Sequence, residues 1–227
     1  YPEMNLLLAR HGNTFGPDDT PVWVGADQDL PLVPKGREQA EAVGQALASA
    51  GIPPAAIVAG PLKRTAEHAT IIRDIAGGGE ISIDHRLREI DYGSWGGKTT
   101  EQIVETHGEA AVTAWNERGQ WPDRADWQPD LSTLRRDLKL LVNDLQAQHG
   151  ADDTVLLVSS NGILRFFLDL VPGAFALRAR DQSLKTATGA LSCIQRQGGL
   201  YQVLFWNKRP DDIDLSVLNQ QTAETPA

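Results

Sequence analysis

The sequence is poor in sulfur, with one cysteine, Cys193, and one methionine, Met4, in 227 residues. A lone cysteine excludes any disulfide within the chain, and a reducing cytoplasm is the expected compartment. Cys193 lies in an apolar, alternating stretch and reads as a small buried hydrophobe rather than a reactive thiol. No apolar run approaches the ~18 residues of a membrane span, and no basic-then-apolar leader opens the chain. Positive charge is not in excess either. The net charge is −9, so the chain lacks the basic face of a nucleic-acid or membrane-surface binder. That balance leaves room for a small anionic substrate, which responds to local charge. Internal repeats and linkers are also missing. Met4 reads as the natural start, with Tyr1-Pro2-Glu3 as an added leader.

What is present is an alternation of strands and helices. A chain of this length buries roughly 70% of its unfolded surface. Asn5–Ala9 is a nearly continuous apolar run, the pattern of a strand covered on both faces. Residues 35–50 carry Ala40, Val43, Leu47 and Ala50 on one helical stripe, stopped by Gly51 and Pro53-Pro54. Ala55–Ala59 is a second strand. A helix opens near Pro61, carries Leu62, Thr65, Ala69, Ile72 and Ile75, and ends at Gly77-Gly78-Gly79. Ile81–Asp84 is a weaker strand, and residues 99–118 read as helix. Residues 119–130 are broken by Pro122 and Pro129. Leu131, Leu134, Leu138, Leu141 and Leu145 mark an amphipathic helix ended by Gly150. Thr154–Ser159 is a strand, residues 161–171 a helix, and 189–196 with 200–206 a hairpin around Gly198-Gly199. The order implies an α/β three-layer sandwich, a mostly parallel central sheet with helices on both faces. Ligands in such sheets bind beyond the carboxyl ends of the strands. The expected organisation is a single domain over 1–227, with a cap-like insertion at about 98–130 and a loose tail from about 218.

Three segments carry chemistry. Arg10-His11-Gly12 sits where the first strand stops and the chain turns. Arg64 lies in the first turn of a helix, just past the second strand, where free N–H groups and positive potential attract anions. Glu89 precedes an aromatic turn, and desolvation beside Tyr92 and Trp95 raises a carboxyl pKa toward neutrality. Taken alone, each has an ordinary reading: a structural histidine, a solvated arginine, a salt-bridged carboxylate.

Together they resemble the histidine phosphatase, or phosphoglycerate mutase-like, superfamily. The likeness rests on R-H-G-x-T at 10–14, P-L-x-R-T-x-E-x-A at 61–69 and E-x-x-Y-G-x-W-x-G at 89–97. LPLVPKGREQA at 30–40 and TGALSCI at 188–194 support it, and the match runs from about Asn5 to Cys193. The resemblance implies a phosphomonoester hydrolase, a phosphatase of the histidine acid type. His11 attacks phosphorus, Arg10 and Arg64 clamp the phosphoryl oxygens, and Glu89 protonates the leaving oxygen. Arg10, Asn13, Thr14, Arg64, Ser160 and Asn161 are the expected substrate contacts. Neighbouring arginines disfavour imidazolium and keep the nucleophile neutral, while stabilising charge on the transferring oxygens. No cofactor is called for. No metal is suggested, since His68, His85, His107 and His149 form no ligand pair of usual spacing. The expected partner is a small phosphorylated metabolite, with neither nucleic acid nor membrane, and a homodimer is left open.

One position departs from the pattern. The resemblance places a second pocket histidine at Ser160, within Ser159-Ser160-Asn161-Gly162. Loss of a donor acting on the transition state costs on the order of 10² to 10³ in rate. A natural, slower phosphatase, a laboratory substitution and a phosphate-binding pseudoenzyme all stay open. Retention of Arg10, His11, Arg64 and Glu89 favours the first. Serine keeps a donor, a water can bridge the gap, and the strand-to-helix turn is expected to aim N–H groups at the site. His68, one turn beyond Arg64, is a further stand-in, although a packed helix histidine is the better reading. Asn13 replaces the more usual glutamate and is assigned a hydrogen-bonding role at the rim. Trp115, Trp121 and Trp127 form either a substrate wall or the seal of a minor core, and Arg118 and Arg124 are candidates for a second anionic group. Hydrolysis is favoured over phosphotransfer of the mutase kind, because no cluster of extra basic residues suits a bisphosphate.

Overall fold

The structure is a computed structural model and describes residues 3–219. Six strands form one mixed sheet: β1 (Met4–Arg10), β2 (Ala56–Ala59), β3 (Ile81–Ile83), β4 (Asp153–Ser159), β5 (Leu191–Gln197) and β6 (Leu200–Lys208). Their spatial order is β3-β2-β4-β1-β5-β6. The first four of that row are parallel, β5 runs antiparallel to β1, and β6 antiparallel to β5. Seven helices surround the sheet among the described residues: α1 (Pro34–Ala50), α2 (Lys63–Ala76), α3 (Thr100–His107), α4 (Glu109–Arg118), α5 (Leu131–Gln148), α6 (Asn161–Leu164) and α7 (Ala174–Arg180). None is long and apolar enough to cross a membrane.

The apolar strands are explained by burial on both faces. Leu6, Leu8, Val155 and Leu157 join one core with Leu134, Leu138 and Leu141 of α5. Their sequence neighbours Leu7, Ala9, Leu156 and Val158 join a second core with Val43 and Leu47 of α1 and Ile72 of α2. Side chains alternate along a strand, so a continuous apolar run serves both layers. Each fully buried leucine stabilises by about 1.5–3 kcal/mol. Cys193 is fully buried in the second core, and burial pushes its thiol pKa up.

Register places the site. Leu6 pairs with Val155 and Arg10 with Ser159, so β1 and β4 end level with each other. His11 N–H then donates to Ser159 O at 3.1 Å, which sets the two following loops side by side. The loop after β1 runs against the first turn of α1. A Cβ on Gly12 would lie 2.6 Å from Gly36 Cα, and one on Gly36 would overlap Asn13 O. Backbone can approach backbone here only because both residues lack side chains.

Four expectations change. The helix expected over 99–118 is two helices, α3 and α4, parted at Gly108 with φ +88°. The helix expected over 161–171 is a single α turn, α6, continued as a 3-10 stretch over Arg165–Leu170. α7 follows Gly173 (φ +77°), where the sequence reads only as a stop. Leu215 and Leu218 are buried and Leu215–Asn219 is a 3-10 turn, so packing continues to the start of the expected tail. Residues 220–227 of that tail, like Tyr1 and Pro2, lie outside the described residues.

Gly36→Ala forces the loop carrying His11 away from α1. We expect about 1–3 kcal/mol of destabilisation, the typical cost of overpacking, read as a lower midpoint in urea unfolding. An unchanged midpoint contradicts this close approach.

Candidate active site

A cleft of about 480 Å³ opens at the carboxyl end of β1 and β4, lined by Arg10, His11, Asn13, Thr14, Glu89 and Asn161 among others. β1 delivers Arg10 and His11, the turn after β4 delivers Asn161, and the 3-10 turn over His85–Leu87 leads to Glu89. That turn is fastened to β4, because Ser159 Oγ donates to Leu87 O at 2.7 Å. Arg64 and Ser160 are fully buried behind these residues and are not part of the cleft wall.

His11 is buried, with Nδ1 2.8 Å from Gly12 O. A carbonyl only accepts, so Nδ1 carries the proton and Nε2 keeps its lone pair. Burial, reinforced by the positive charges of Arg10 and Arg64, holds its pKa well below the ordinary value of 6.5. Both arginines are braced by backbone. Arg10 Nη1 donates to Thr186 O at 2.6 Å. Arg64 donates from Nη1 to Gln28 O at 2.6 Å and from Nη2 to Gly25 O at 3.2 Å. Each keeps a buried Nε without a partner. The free N–H groups at the start of α2 are partly taken by the protein, since Lys63 N–H donates to Asp29 Oδ1 at 2.7 Å.

Among the described residues, Glu89 is the only carboxylate in the cleft wall. Its Oε1 accepts from Ile90 N–H at 2.9 Å and its Oε2 from Gly162 N–H at 3.2 Å. Burial nevertheless outweighs these bonds and the charges of Arg64 and Arg10, and raises its pKa. Tyr92 hydrogen-bonds the same carboxylate, and its own pKa is pushed far up by burial. Gly162 is required beneath them, for a Cβ there would overlap the Tyr92 hydroxyl and sit 2.5 Å from Glu89 Oε1.

Several expected contacts are placed differently. Asn13 binds Thr188, which donates from Oγ1 to Asn13 Oδ1 at 2.5 Å, and its backbone N–H donates to Gln39 Oε1 at 2.8 Å. These two bonds tie it to Thr188 and Gln39 at the rim. Ser160 Oγ is buried without a partner, and Ser160 is not part of the cleft wall. Three of the N–H groups expected from the turn after β4 are spent inside the protein: Gly162 on Glu89, and Ile163 and Leu164 on Ser160 O. His68 does not reach the cleft. It is fully buried, and its Nδ1 accepts from Gly12 N–H at 3.1 Å. Burial pushes its pKa down to about 3, so it remains a neutral acceptor that braces the His11 loop. Arg118 and Arg124 are exposed and lie outside the cleft wall.

Trp115 and Trp127 are buried at 1% and 2% exposure, which favours the minor-core reading over a free aromatic wall. Tyr92, Trp95, Trp115 and Trp127 meet edge to face with centroids 4.8 to 6.2 Å apart, an arrangement that suits the ring quadrupoles. Trp115 still contributes to the cleft wall, as does Trp23. Sequence reasoning missed Lys185 and Arg165. Lys185 lines the cleft from a turn with no motif to mark it. Arg165, four residues beyond Asn161, packs 4.2 Å from the Trp115 ring centroid and donates to Trp115 O at 2.7 Å. Among the described residues, no group of three or more His, Cys, Asp or Glu is placed to hold a metal ion.

The family described as histidine phosphatase superfamily (branch 1) matches residues 6–209. The histidine acid type read from the residues is a different family name, and that part of the expectation is corrected. The chain is 33% identical over 169 residues to a glucosyl-3-phosphoglycerate phosphatase of Mycolicibacterium vanbaalenii, covering 70% of each protein. It is 31% identical over 114 residues to a 2,3-bisphosphoglycerate-dependent phosphoglycerate mutase of Hydrogenobaculum sp., covering 48% of this chain and 44% of that one. The fold matches a mycobacterial glucosyl-3-phosphoglycerate phosphatase solved with VO3, with TM-score 0.73, 24% identity and coverage of 90% and 98%. It also matches the alpha-ribazole phosphatase of Shigella flexneri, with TM-score 0.68, 20% identity and coverage of 90% and 96%.

The environment of His68 makes stability depend on pH. In the unfolded chain it takes a proton near pH 6.5, and in the folded chain only near 3. A depressed folded pKa gives stability that is present above the unfolded value and lost as pH falls toward the folded one. The urea midpoint should therefore drop between about pH 7 and pH 5. The drop should be smaller in His68→Gln, whose amide oxygen still accepts from Gly12. Equal drops in both proteins contradict this.

Proposed function

Because the chain belongs to the histidine phosphatase superfamily, branch 1, we propose that it hydrolyses small organic phosphomonoesters through a phosphohistidine on His11. The observation that carries this reading is a neutral, buried imidazole held as the Nδ1–H tautomer, influenced by two guanidinium groups and sharing a cleft with a raised-pKa carboxyl.

The chemistry follows from the placement. Nε2 of His11 attacks phosphorus as the P–O bond to the leaving group breaks. Arg10, in the cleft wall, stabilises charge on the equatorial oxygens, and Arg64, buried behind it, adds positive potential to the same end, the main task in phosphoryl transfer. Protonated Glu89 gives its proton to the leaving oxygen, which departs as an alcohol. The resulting carboxylate then takes a proton from water as that water attacks the phosphohistidine. Orthophosphate leaves, and His11 and Glu89 return to their starting states. The phosphatase relative aligns over 70% of the chain and the mutase relative over 48%, which supports water as acceptor. The singly occurring, buried Cys193 fits a reducing cytoplasm. Residues 98–130, carrying α3 and α4 beside the cleft, fit the role of a cap within one domain.

Rapid quenching of the protein with a radiolabelled aryl phosphate should trap acid-labile label on His11, and His11→Ala should carry none. Label that persists in His11→Ala overturns the mechanism, as does turnover without any phosphoenzyme. The pH profile has a defined sign. The acid limb, set by His11, lies below 6.5, and the alkaline limb, set by Glu89, lies above the ordinary carboxylate value of 4.5. Glu89→Gln should slow alkyl esters by about 10² to 10⁴, the usual worth of general acid catalysis. Aryl esters, whose leaving groups need less protonation, should lose less. Equal losses on both contradict the acid role.

A further inference from the structure

The turn after β4 holds a side-chain donor that lines the cleft and has nothing in the protein to donate to. Asn161 lines the cleft beside Arg10, His11 and Glu89. Thr186 N–H donates to its Oδ1 at 3.1 Å. Only the oxygen of a carboxamide accepts from a backbone N–H, so this bond fixes the amide orientation and leaves both N–H groups of Nδ2 uncommitted. The other face of Thr186 holds Arg10, whose Nη1 donates to Thr186 O at 2.6 Å. One residue thus braces the carboxamide and the guanidinium together. Arg165 adds a third restraint, with Nε donating to Asn161 O at 3.4 Å.

Three backbone donors of the same turn are already committed. Gly162 N–H is taken by Glu89, and the N–H groups of Ile163 and Leu164 by Ser160 O. Ser160 is 1% exposed, and its hydroxyl stays outside the cleft wall.

We propose that Asn161, through its Nδ2 amide, is the phosphoryl-group donor contributed by the turn after β4, and that Ser160 does not fill that role. The proposal rests on the phosphohydrolase reading above and deepens it. A neutral amide suits this place, because another cation beside Arg10 would disfavour the charged form of that guanidinium and would favour ionisation of Glu89, which has to hold a proton. It also donates at every pH, so it adds no titration to the cycle. As charge builds on the equatorial oxygens, bonds from a fixed donor strengthen without reorganisation.

The test uses the full chain with three variants, an aryl phosphate as substrate and orthovanadate as a binding probe. Asn161→Ala should lower kcat by about 10² to 10³, the usual loss for such a donor, with little change in KM. Orthovanadate affinity should fall as well. The loss in Asn161→Ala should exceed that in Ser160→Ala by about tenfold or more. Asn161→Asp separates donation from bracing, because its carboxylate still accepts from Thr186 N–H but donates nothing when ionised. Its rate relative to the unsubstituted protein should be poor at neutral pH and recover as pH falls and the acid regains an O–H. A merely structural role would give no such recovery. Equal losses in Asn161→Ala and Ser160→Ala overturn the proposal, as does a flat relative rate for Asn161→Asp. If the unsubstituted protein turns over nothing while vanadate affinity still depends on Asn161, the hydrolase reading fails and the donor assignment stands.

Discussion

A charge that is not allowed to form governs this structure. His11 is buried where two arginines act on it, and burial and those cations both oppose protonation of its ring. Each unit by which a pKa moves corresponds to about 1.4 kcal/mol between protonation states, so the neutral form holds through the physiological range. Neutrality makes the imidazole a nucleophile, and the same cations that enforce it are suited to receive a phosphoryl group. The Gly12 carbonyl then selects the tautomer. Gly12 is gripped from both sides, since its N–H is accepted by His68 while its oxygen accepts from His11.

Glu89 faces the opposite problem. The same cations favour its ionised form, and so do two backbone N–H bonds, yet burial prevails and its pKa rises. The aromatic cluster explains how. Tyr92 bonds the carboxyl and meets Trp23, Trp115 and Trp127 edge to face, so apolar rings back the side of Glu89 that Tyr92 covers. The segment with α3 and α4 therefore does more than cover a cleft, because its tryptophans set the dielectric in which a proton is held. A base and an acid pushed in opposite directions within one cleft is the pattern that two-step acid–base chemistry needs.

Much of this was legible in the residues. The strands showed as continuous apolar runs because both faces are covered. α1, α2 and α5 showed because each buries one stripe. Short motifs mark His11 at the end of β1, Arg64 in the first turn of α2 and Glu89 beyond the 3-10 turn over His85–Leu87. The break at Gly108 stayed hidden, since a glycine inside a helical pattern marks a bend only when its φ is known. α7 was missed because seven residues after Pro172-Gly173 carry too little periodicity. The orientation of Asn161 depends on Thr186, 25 residues onward, a relation no local pattern records. Ser160 looked like the natural replacement for an absent histidine because sequence gives position and not direction. His68 reads from the sequence as a packed helix histidine, and its bond to Gly12 shows what it packs for.

The most direct test of the central claim is a pH titration of the His11 ring nitrogens by NMR in isotopically labelled protein. The account requires a neutral Nδ1–H ring that stays neutral as pH falls well below 6.5, with Nε2 unprotonated. An ordinary titration near 6.5, or a ring protonated on Nε2, would contradict it.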